Sequence, residues 1–191
     1  MNTTLPILFQ RRHILPDGRL PIRIAPGIQM DTIKEALKNN GIFGVCMYDP
    51  SDEQQFYEIG TRVQIEDFEP ELVDGLLQIT VIGLDNFEVQ AFGEGEETGI
   101  YYGECKILSR WPDAKLSVTQ QLLAERLEIM YEKYPELADL HDDKQLSNLS
   151  WLCQRWLEIL PVPVREKQWL LNRPNCLETS DYLMSIMLDP H

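Results

Sequence analysis

The sequence predicts an α+β protein, with strands in its first part and helices in its second. Three observations carry this. Residues 1–112 read as short apolar or alternating runs, and residues 113–191 carry apolar stripes at helical spacing. The period changes from two to 3.6 at "SRWPDAKLS" (109–117). We therefore place a β-rich subdomain at 1–112 and a helical subdomain at 113–191. At 191 residues, with 43% hydrophobic and 25% charged side chains, the chain buries roughly 70% of its unfolded surface and needs no disulfide or metal staple.

"LPILFQ" (5–10) and "LPIRI" (20–24) are short extended runs flanking a turn at Pro16-Asp17-Gly18. Proline within them points to edge positions, where a missing N–H is tolerated. "DTIKEALKNNG" (31–41) predicts one amphipathic helix, capped by Asp31, with Ile33, Ala36 and Leu37 on one face and Gly41 closing it. "IFGVCMY" (42–48) is a continuous apolar run, as in a strand buried on both faces, and "DPSDEQQ" (49–55) is a polar loop. "YEIGTRVQIEDFE" (57–69) alternates, with Ile59, Thr61, Val63 and Ile65 on one face. "PELVDG" (70–75) turns the chain into a strand at 76–84. Gly83 and "DN" then separate it from a further strand at 87–92, the acidic loop "GEGEETG" (93–99) follows, and the last strand spans 100–108. Strands of this even spacing predict a small closed or half-open barrel, with Gly60, Gly75 and Gly83 at bends and turns.

Ser117 and Gln120 form a capping-box pattern at the first helix of the second part. Leu123, Leu127, Met130, Tyr131 and Tyr134 line one stripe until Pro135. Leu149, Leu152, Cys153, Trp156, Leu157 and Leu160 line another, ended by "PVP" (161–163). Shorter helices follow near 164–172 and 179–188. These stripes read as helix–helix core, and Trp156 as a side chain buried between helices.

The net charge of −14 is uneven: residues 1–38 carry +3, residues 39–112 carry −12 and residues 113–191 carry −5. So acidic a surface repels phosphate backbones and argues against general nucleic-acid binding. The local exception is Arg11, Arg12, Arg19 and Arg23, which read as solvated edges or as partners of the acidic meander. Cys46, Cys105, Cys153 and Cys176 form no C-x-x-C pair, sit among apolar neighbours and read as buried reduced thiols. His13, His141 and His191 are scattered. There is no phosphate-loop motif, no G-x-S-x-G and no H-E-x-x-H, and "GEGEETG" misses G-x-G-x-x-G and carries three glutamates. These patterns assign no catalytic, cofactor or metal residue. No apolar run reaches the ~20 residues of a membrane span, and no secretory signal opens the chain, so the expected setting is the cytoplasm.

Three stretches together resemble the amino-terminal domain of the Lon protease family. "LPILFQRRHILPDGRLPIRI" (5–24) resembles its opening, with an apolar strand, a proline-glycine turn and a second "LP" strand. "IGTRVQIEDF…DGLLQITVIGLDNFEV" (59–89) resembles its G-T-x-A-x-I…D-G-x-x-x-V-x-G-x-x-R-F signature. "LSWLCQRWLEILPVPVREKQWLLNRPNCLETSDYLMSIM" (149–187) resembles its helical part. Two departures stand out: "APGIQM" (25–30) replaces the usual F-E-P-R-Y, and Asn86 replaces the arginine before the phenylalanine. The resemblance implies a PUA-like β pseudo-barrel with one helix, followed by a helical bundle. It implies capture of unfolded or tagged polypeptides without the ATPase and protease modules, hence no ATP or peptide hydrolysis and no cofactor.

The function this predicts is a non-catalytic polypeptide-binding module, an adaptor or a chaperone-like recognition unit. An extended peptide would add to a barrel edge or lie in a groove between barrel and helices. Candidate contact residues are Phe9, Ile14, Ile28 and Met30, because the first strands and their following loop are the least covered. The competing class is a PUA-like RNA or small-molecule binder, resting on fold analogy and on the four arginines.

Overall fold

The computed structural model describes residues 2–53, 56–70 and 74–188. The turn expected at 70–75 lies in part outside the described residues, at Glu71, Leu72 and Val73, as does His191. The chain divides into two units, Met1–Ser109 and Arg110–His191.

The first unit runs β1 (Asn2–Gln10), β2 (Arg19–Ile24), α1 (Ile28–Leu37), β3 (Ile42–Met47), β4 (Ile59–Pro70), β5 (Leu77–Glu94) and β6 (Tyr101–Ile107). The strand order is β2-β5-β4-β3-β1-β6, and β6 pairs back onto β5. Five strands thereby close a ring and leave β2 as an added edge, which limits the exposed backbone that would template aggregation. The closure depends on the length of β5. Its Leu77–Glu88 part pairs with β4, and its Phe87–Glu94 part with β6.

The strands expected at 76–84 and 87–92 are therefore one strand. The polar residues that looked like a turn are paired across the ladder instead: Asp85 forms an ion pair with Arg62, and Asn86 Oδ1 lies 3.1 Å from the Thr61 hydroxyl. Gly83 marks a close approach between chain segments. The Leu15–Gly18 turn docks on it through Asp17 N–H to the Gly83 carbonyl (2.9 Å) and Gly83 N–H to the Gly18 carbonyl (2.8 Å). A Cβ on Gly83 would sit 2.1 Å from the Leu15 carbonyl oxygen. Pro16 precedes Asp17, whose φ of 66° belongs to the second central position of a type II turn.

The proline expectation holds for Pro21, on the edge strand β2. β1 is an interior strand, and Pro6 is tolerated there because the parallel pairing with β3 begins only at Ile7. The first helix starts at Ile28, three residues before the expected Asp31 cap. Gly27, at φ 96°, is its N-cap and accepts the Asp31 N–H (2.9 Å). Gly41, at φ 73°, closes it by donating to the Ala36 carbonyl (2.9 Å).

Alternation gives the sheet two cores. Leu8, Phe43, Val45, Val63, Ile79 and Val81 face one side, where they pack with β2 residues and with Ile33 and Ala36 of α1. Leu5, Ile7, Cys46, Phe87, Val89 and Cys105 fill the barrel interior. β3 is thus apolar on both faces, as its sequence predicts. The interior is narrow: a Cβ on Gly44 or Gly60 would lie 2.6 Å from Ile7 or Phe87, so these glycines make room for the large side chains. Gly60 is therefore an interior strand residue, where a bend was expected.

The second unit runs α2 (Gln121–Lys133), α3 (Pro135–Ala138), α4 (Leu149–Ile159), α5 (Val164–Leu171) and α6 (Leu177–Leu188). The capping box forms as predicted. The Gln120 N–H donates to the Ser117 hydroxyl (3.2 Å), and the Ser117 N–H donates to Gln120 Oε1 (2.8 Å). α4 is buried on every side from Leu149 to Leu157, which is how a central helix differs from a surface one. Burial extends to Arg155, which stacks on the Trp151 ring (5.2 Å) and bonds Glu158 (2.5 Å). Trp156 is 3% exposed, as expected, and its indole N–H donates to the Leu123 carbonyl (3.0 Å). Trp169, on α5, is 51% exposed.

Candidate functional site

One end of the barrel carries four aromatic rings. Phe9, Ile7 and Leu5 alternate inward along β1, and Tyr101, Gly103 and Cys105 do so along β6; Ile7 pairs with Tyr101. Strict alternation on β5 would continue from Val89 to Ala91 and Gly93. A register shift between Val89 and Ala91 interrupts it, and Phe92 instead packs against the interior cluster. The fourth ring, Phe56, comes from the loop before β4. Its neighbour Tyr57 is buried and donates its hydroxyl to Asp52 (2.5 Å), which pins the loop.

The rings form one network. Phe56 lies 5.1 Å from Phe9 and 5.0 Å from Phe92, and Phe9 meets Tyr101 edge-on at 5.5 Å. These are the separations aromatic pairs favour. Phe9, Phe92 and Tyr101 are half-buried, and Phe56 is 37% exposed. The patch is therefore an apolar mouth whose floor is the barrel core. Its surroundings are mostly acidic: β5 ends at Glu94, the loop joining β5 to β6 carries Glu96 and Glu97, and the Phe56 loop carries Asp49, Asp52 and Glu53. The Ser51 hydroxyl and N–H both donate to Asp49 and hold its carboxyl below the ordinary range.

The four sequence candidates separate here. Phe9 is at the centre of the mouth. Ile28, 51% exposed on the first turn of α1, lies beside Gly99 in the loop that leads to Tyr101: a Cβ there would be 3.6 Å from Ile28 Cδ1. Ile14 is 3% exposed and belongs to the core on the sheet's other face, and Met30 packs against that same core. Sequence reading missed Phe56, Phe92 and Tyr101. Tyr101 had a signal, since it alternates with Cys105 on a recognised strand, but nothing in the residues announces the bulge that turns Phe92.

The basic cluster is split as well. Arg19 bonds Glu66 through two nitrogens, at 2.7 and 3.2 Å, and Arg23 pairs with Asp74. Arg11 and Arg12 are exposed just beyond β1. Among the described residues no group of three or more His, Cys, Asp or Glu side chains could hold a metal ion, and no helix is long and apolar enough to cross a membrane. All four cysteines are free and buried. Burial raises the thiols of the barrel pair, Cys46 well above its usual value and Cys105 to about 12.

Fold and site define a small β-barrel with an aromatic mouth and a separate helical unit, a binding-domain architecture. The chain matches the family described as the ATP-dependent protease La (LON) substrate-binding domain over residues 4–189, and it belongs to that family. Two solved structures share the fold. A Lon N-terminal domain protein from Xanthomonas campestris is 24% identical, covering 96% of this chain and 98% of its own, at a TM-score of 0.74. The N-terminal domain of a Mycobacterium avium complex Lon protease is 16% identical, covering 99% and 100%, at a TM-score of 0.64. A search of curated proteins finds no match.

Proposed function

We propose that this chain captures extended or unfolded polypeptide segments at the aromatic mouth of its barrel, as an adaptor or chaperone-like recognition module that performs no turnover. The observation that carries the reading is the four-ring network around Phe56, which keeps apolar area at the surface where an isolated barrel would gain by covering it. Membership of a family described by substrate binding supports it. Aromatic side chains contribute large contact area with little conformational entropy to lose, so an unfolded segment's own apolar residues dock there without a unique sequence. Phe9 and Phe56 are the contact residues and Ile28 extends the surface, whereas Ile14 and Met30, in the core on the sheet's other face, take no part. The RNA reading is weaker, because Arg19 and Arg23 are engaged by Glu66 and Asp74.

The test is fluorescence anisotropy with labelled, unfolded model polypeptides. Phe56→Ser should weaken binding about tenfold, the equivalent of ~1.4 kcal/mol, with little change in thermal midpoint because the ring is already more than a third exposed. Absence of binding at tens of micromolar across a broad panel, or binding indifferent to Phe56 and Phe9, would remove the mouth as the site.

A further inference from the structure

Three carboxylates are held at the rim of the mouth by the strands that carry two of its rings. Residues two apart on a strand, or opposite one another in a ladder, share a face. Phe92 pairs with Gly103, and Glu94 with Tyr101, across β5 and β6. Phe92, Tyr101 and Glu94 therefore lie on one side. The exposed Glu94 carboxylate borders the same space over Gly99 as Ile28: a Cβ there would lie 3.7 Å from Glu94 Oε1 and 3.6 Å from Ile28 Cδ1. Beyond it, the Gly99 N–H donates to the Gly95 carbonyl (3.0 Å) and the Gly95 N–H to the Ile100 carbonyl (2.8 Å). This tight turn presents Glu96 and Glu97 to solvent.

The rings set how a ligand can lie. Their centroids are 5.0 to 6.3 Å apart, so they touch and leave no slot for a side chain between them. A ligand lies across them, over Phe56, which is 37% exposed. We infer, resting on the reading of this mouth as a polypeptide-binding surface, that it selects apolar segments flanked by lysine or arginine. The methylene stem of either side chain lies along apolar surface while its charged head reaches for water or a carboxylate. Here the head finds both kinds of partner. The ring faces attract a cation within about 6 Å, and Glu94 stands on the same side as Phe92 and Tyr101. A segment flanked by glutamate meets like charge at the same place.

Charge complementarity also decides between occupants. Asp49, Asp52 and Glu53 on the Phe56 loop add to the three carboxylates of the rim, against Arg11 and Arg12 as the cations just past β1. A second copy of this chain, at a net charge of −14, and a nucleic-acid strand are both repelled by that field. The occupant is therefore a basic, apolar segment of another protein. Selection acts on composition rather than on an ordered sequence, because it uses ring faces and an acidic rim instead of a shaped pocket. Exposed charges at such a rim are screened by salt, so the preference is ionic-strength dependent while the apolar contact is not.

The experiment is fluorescence anisotropy of the full chain with three labelled, unfolded peptides that share one apolar core and carry lysine, serine or glutamate on its flanks. At low ionic strength the lysine-flanked peptide should bind about tenfold tighter than the serine-flanked one, and the glutamate-flanked one weakest. In 1 M salt, where the screening length is about 3 Å, the lysine preference should fall to about threefold or less. Neutralising the rim with Glu94→Gln, Glu96→Gln and Glu97→Gln together should reduce the lysine preference in the same way and leave the serine-flanked peptide unchanged. These side chains are exposed, so the change leaves the barrel core untouched. Removing three exposed charges from α2 of the other unit, with Glu125→Gln, Glu128→Gln and Glu132→Gln, should keep the preference intact. Equal affinity for the three peptides, with binding still dependent on Phe56, would overturn the charge selection and leave the mouth as a polypeptide site. A preference lost equally in the α2 variant would assign it to net charge and overturn it too. Binding indifferent to Phe56 would remove the mouth, and this inference with it.

Discussion

Replacing Trp156 with alanine tests whether the helical unit is organised around α4. The side chain is 3% exposed, and its indole N–H bonds the Leu123 carbonyl of α2 at 3.0 Å. Truncating a buried tryptophan leaves a cavity as well as losing transfer energy, a cost of about 4 kcal/mol. The lost hydrogen bond adds about 1 kcal/mol. That carbonyl lies inside α2, so the helix's own hydrogen bond keeps it from being wholly orphaned. A total near 5 kcal/mol rivals the stability of many whole domains. In urea, followed by far-ultraviolet circular dichroism, a slope of about 2 kcal/mol per molar converts this into a midpoint lowered by about 2.5 M. Trp156→Phe keeps most of the volume and loses the bond, so it should recover more than half of the loss. A midpoint within a few tenths molar of wild type for the alanine variant would refute the packing argument.

Three further outcomes follow from the structure. Gly83→Ala should destabilise the barrel unit by several kcal/mol or abolish soluble expression, because its Cβ would meet the Leu15 carbonyl at 2.1 Å and both partners are backbone; a thermal midpoint unchanged from wild type would contradict this. Lys167 is 3% exposed, and burial lowers it to about 8, partly offset by the Glu158 charge. The unfolded chain then holds more protons between about pH 8 and 10.5, so wild-type stability should rise through that window relative to Lys167→Met, and parallel pH profiles of the two would show that the lysine is not buried as a cation. The purified chain should neither hydrolyse ATP nor cleave casein with magnesium present, since phosphoryl transfer needs a phosphate cradle with a lysine and a metal-holding carboxylate; cleavage abolished by substituting one of the chain's own residues would defeat the recognition-only reading.

The features legible in the sequence are those decided by neighbours along the chain. The Ser117–Gln120 capping box, the helix closure at Gly41 and the two-faced strand at Ile42–Met47 all depend on residues within a few positions of one another. Misread features are those decided by a partner elsewhere. "GLDN" has turn composition, yet Arg62 and Thr61 on β4 take up Asp85 and Asn86, and Gly83 serves the turn at Leu15–Gly18. Gly27, with its positive φ, starts α1 early, and the more obvious cap at Asp31 was a plausible competitor because an acid also suits the first turn.

The candidate site shows the same division more sharply. Phe9 could be chosen because it lies on the first strand, expected to be among the least covered, but a site needs several side chains at one place, and their convergence here is long-range. Tyr101 arrives through antiparallel pairing with Ile7, and Phe92 through a register shift that reverses its face. Phe56 arrives because Tyr57 anchors its loop through Asp52. Ile14 and Ile28 illustrate the converse. Both are isoleucines near the first two strands, yet Thr61 lies 2.7 Å from the Ile14 carbonyl and that side chain is sealed in the core, whereas Ile28 is left exposed beside Gly99. The apolar residues of the candidate site thus converge where barrel closure ends. Because β5 must run past β4 to reach β6, the segment that closes the barrel also carries Phe92 to its rim. Closure and mouth are one consequence of one long strand, so a deletion within Gln90–Phe92 should disturb both together, whereas Phe56→Ser should disturb binding alone.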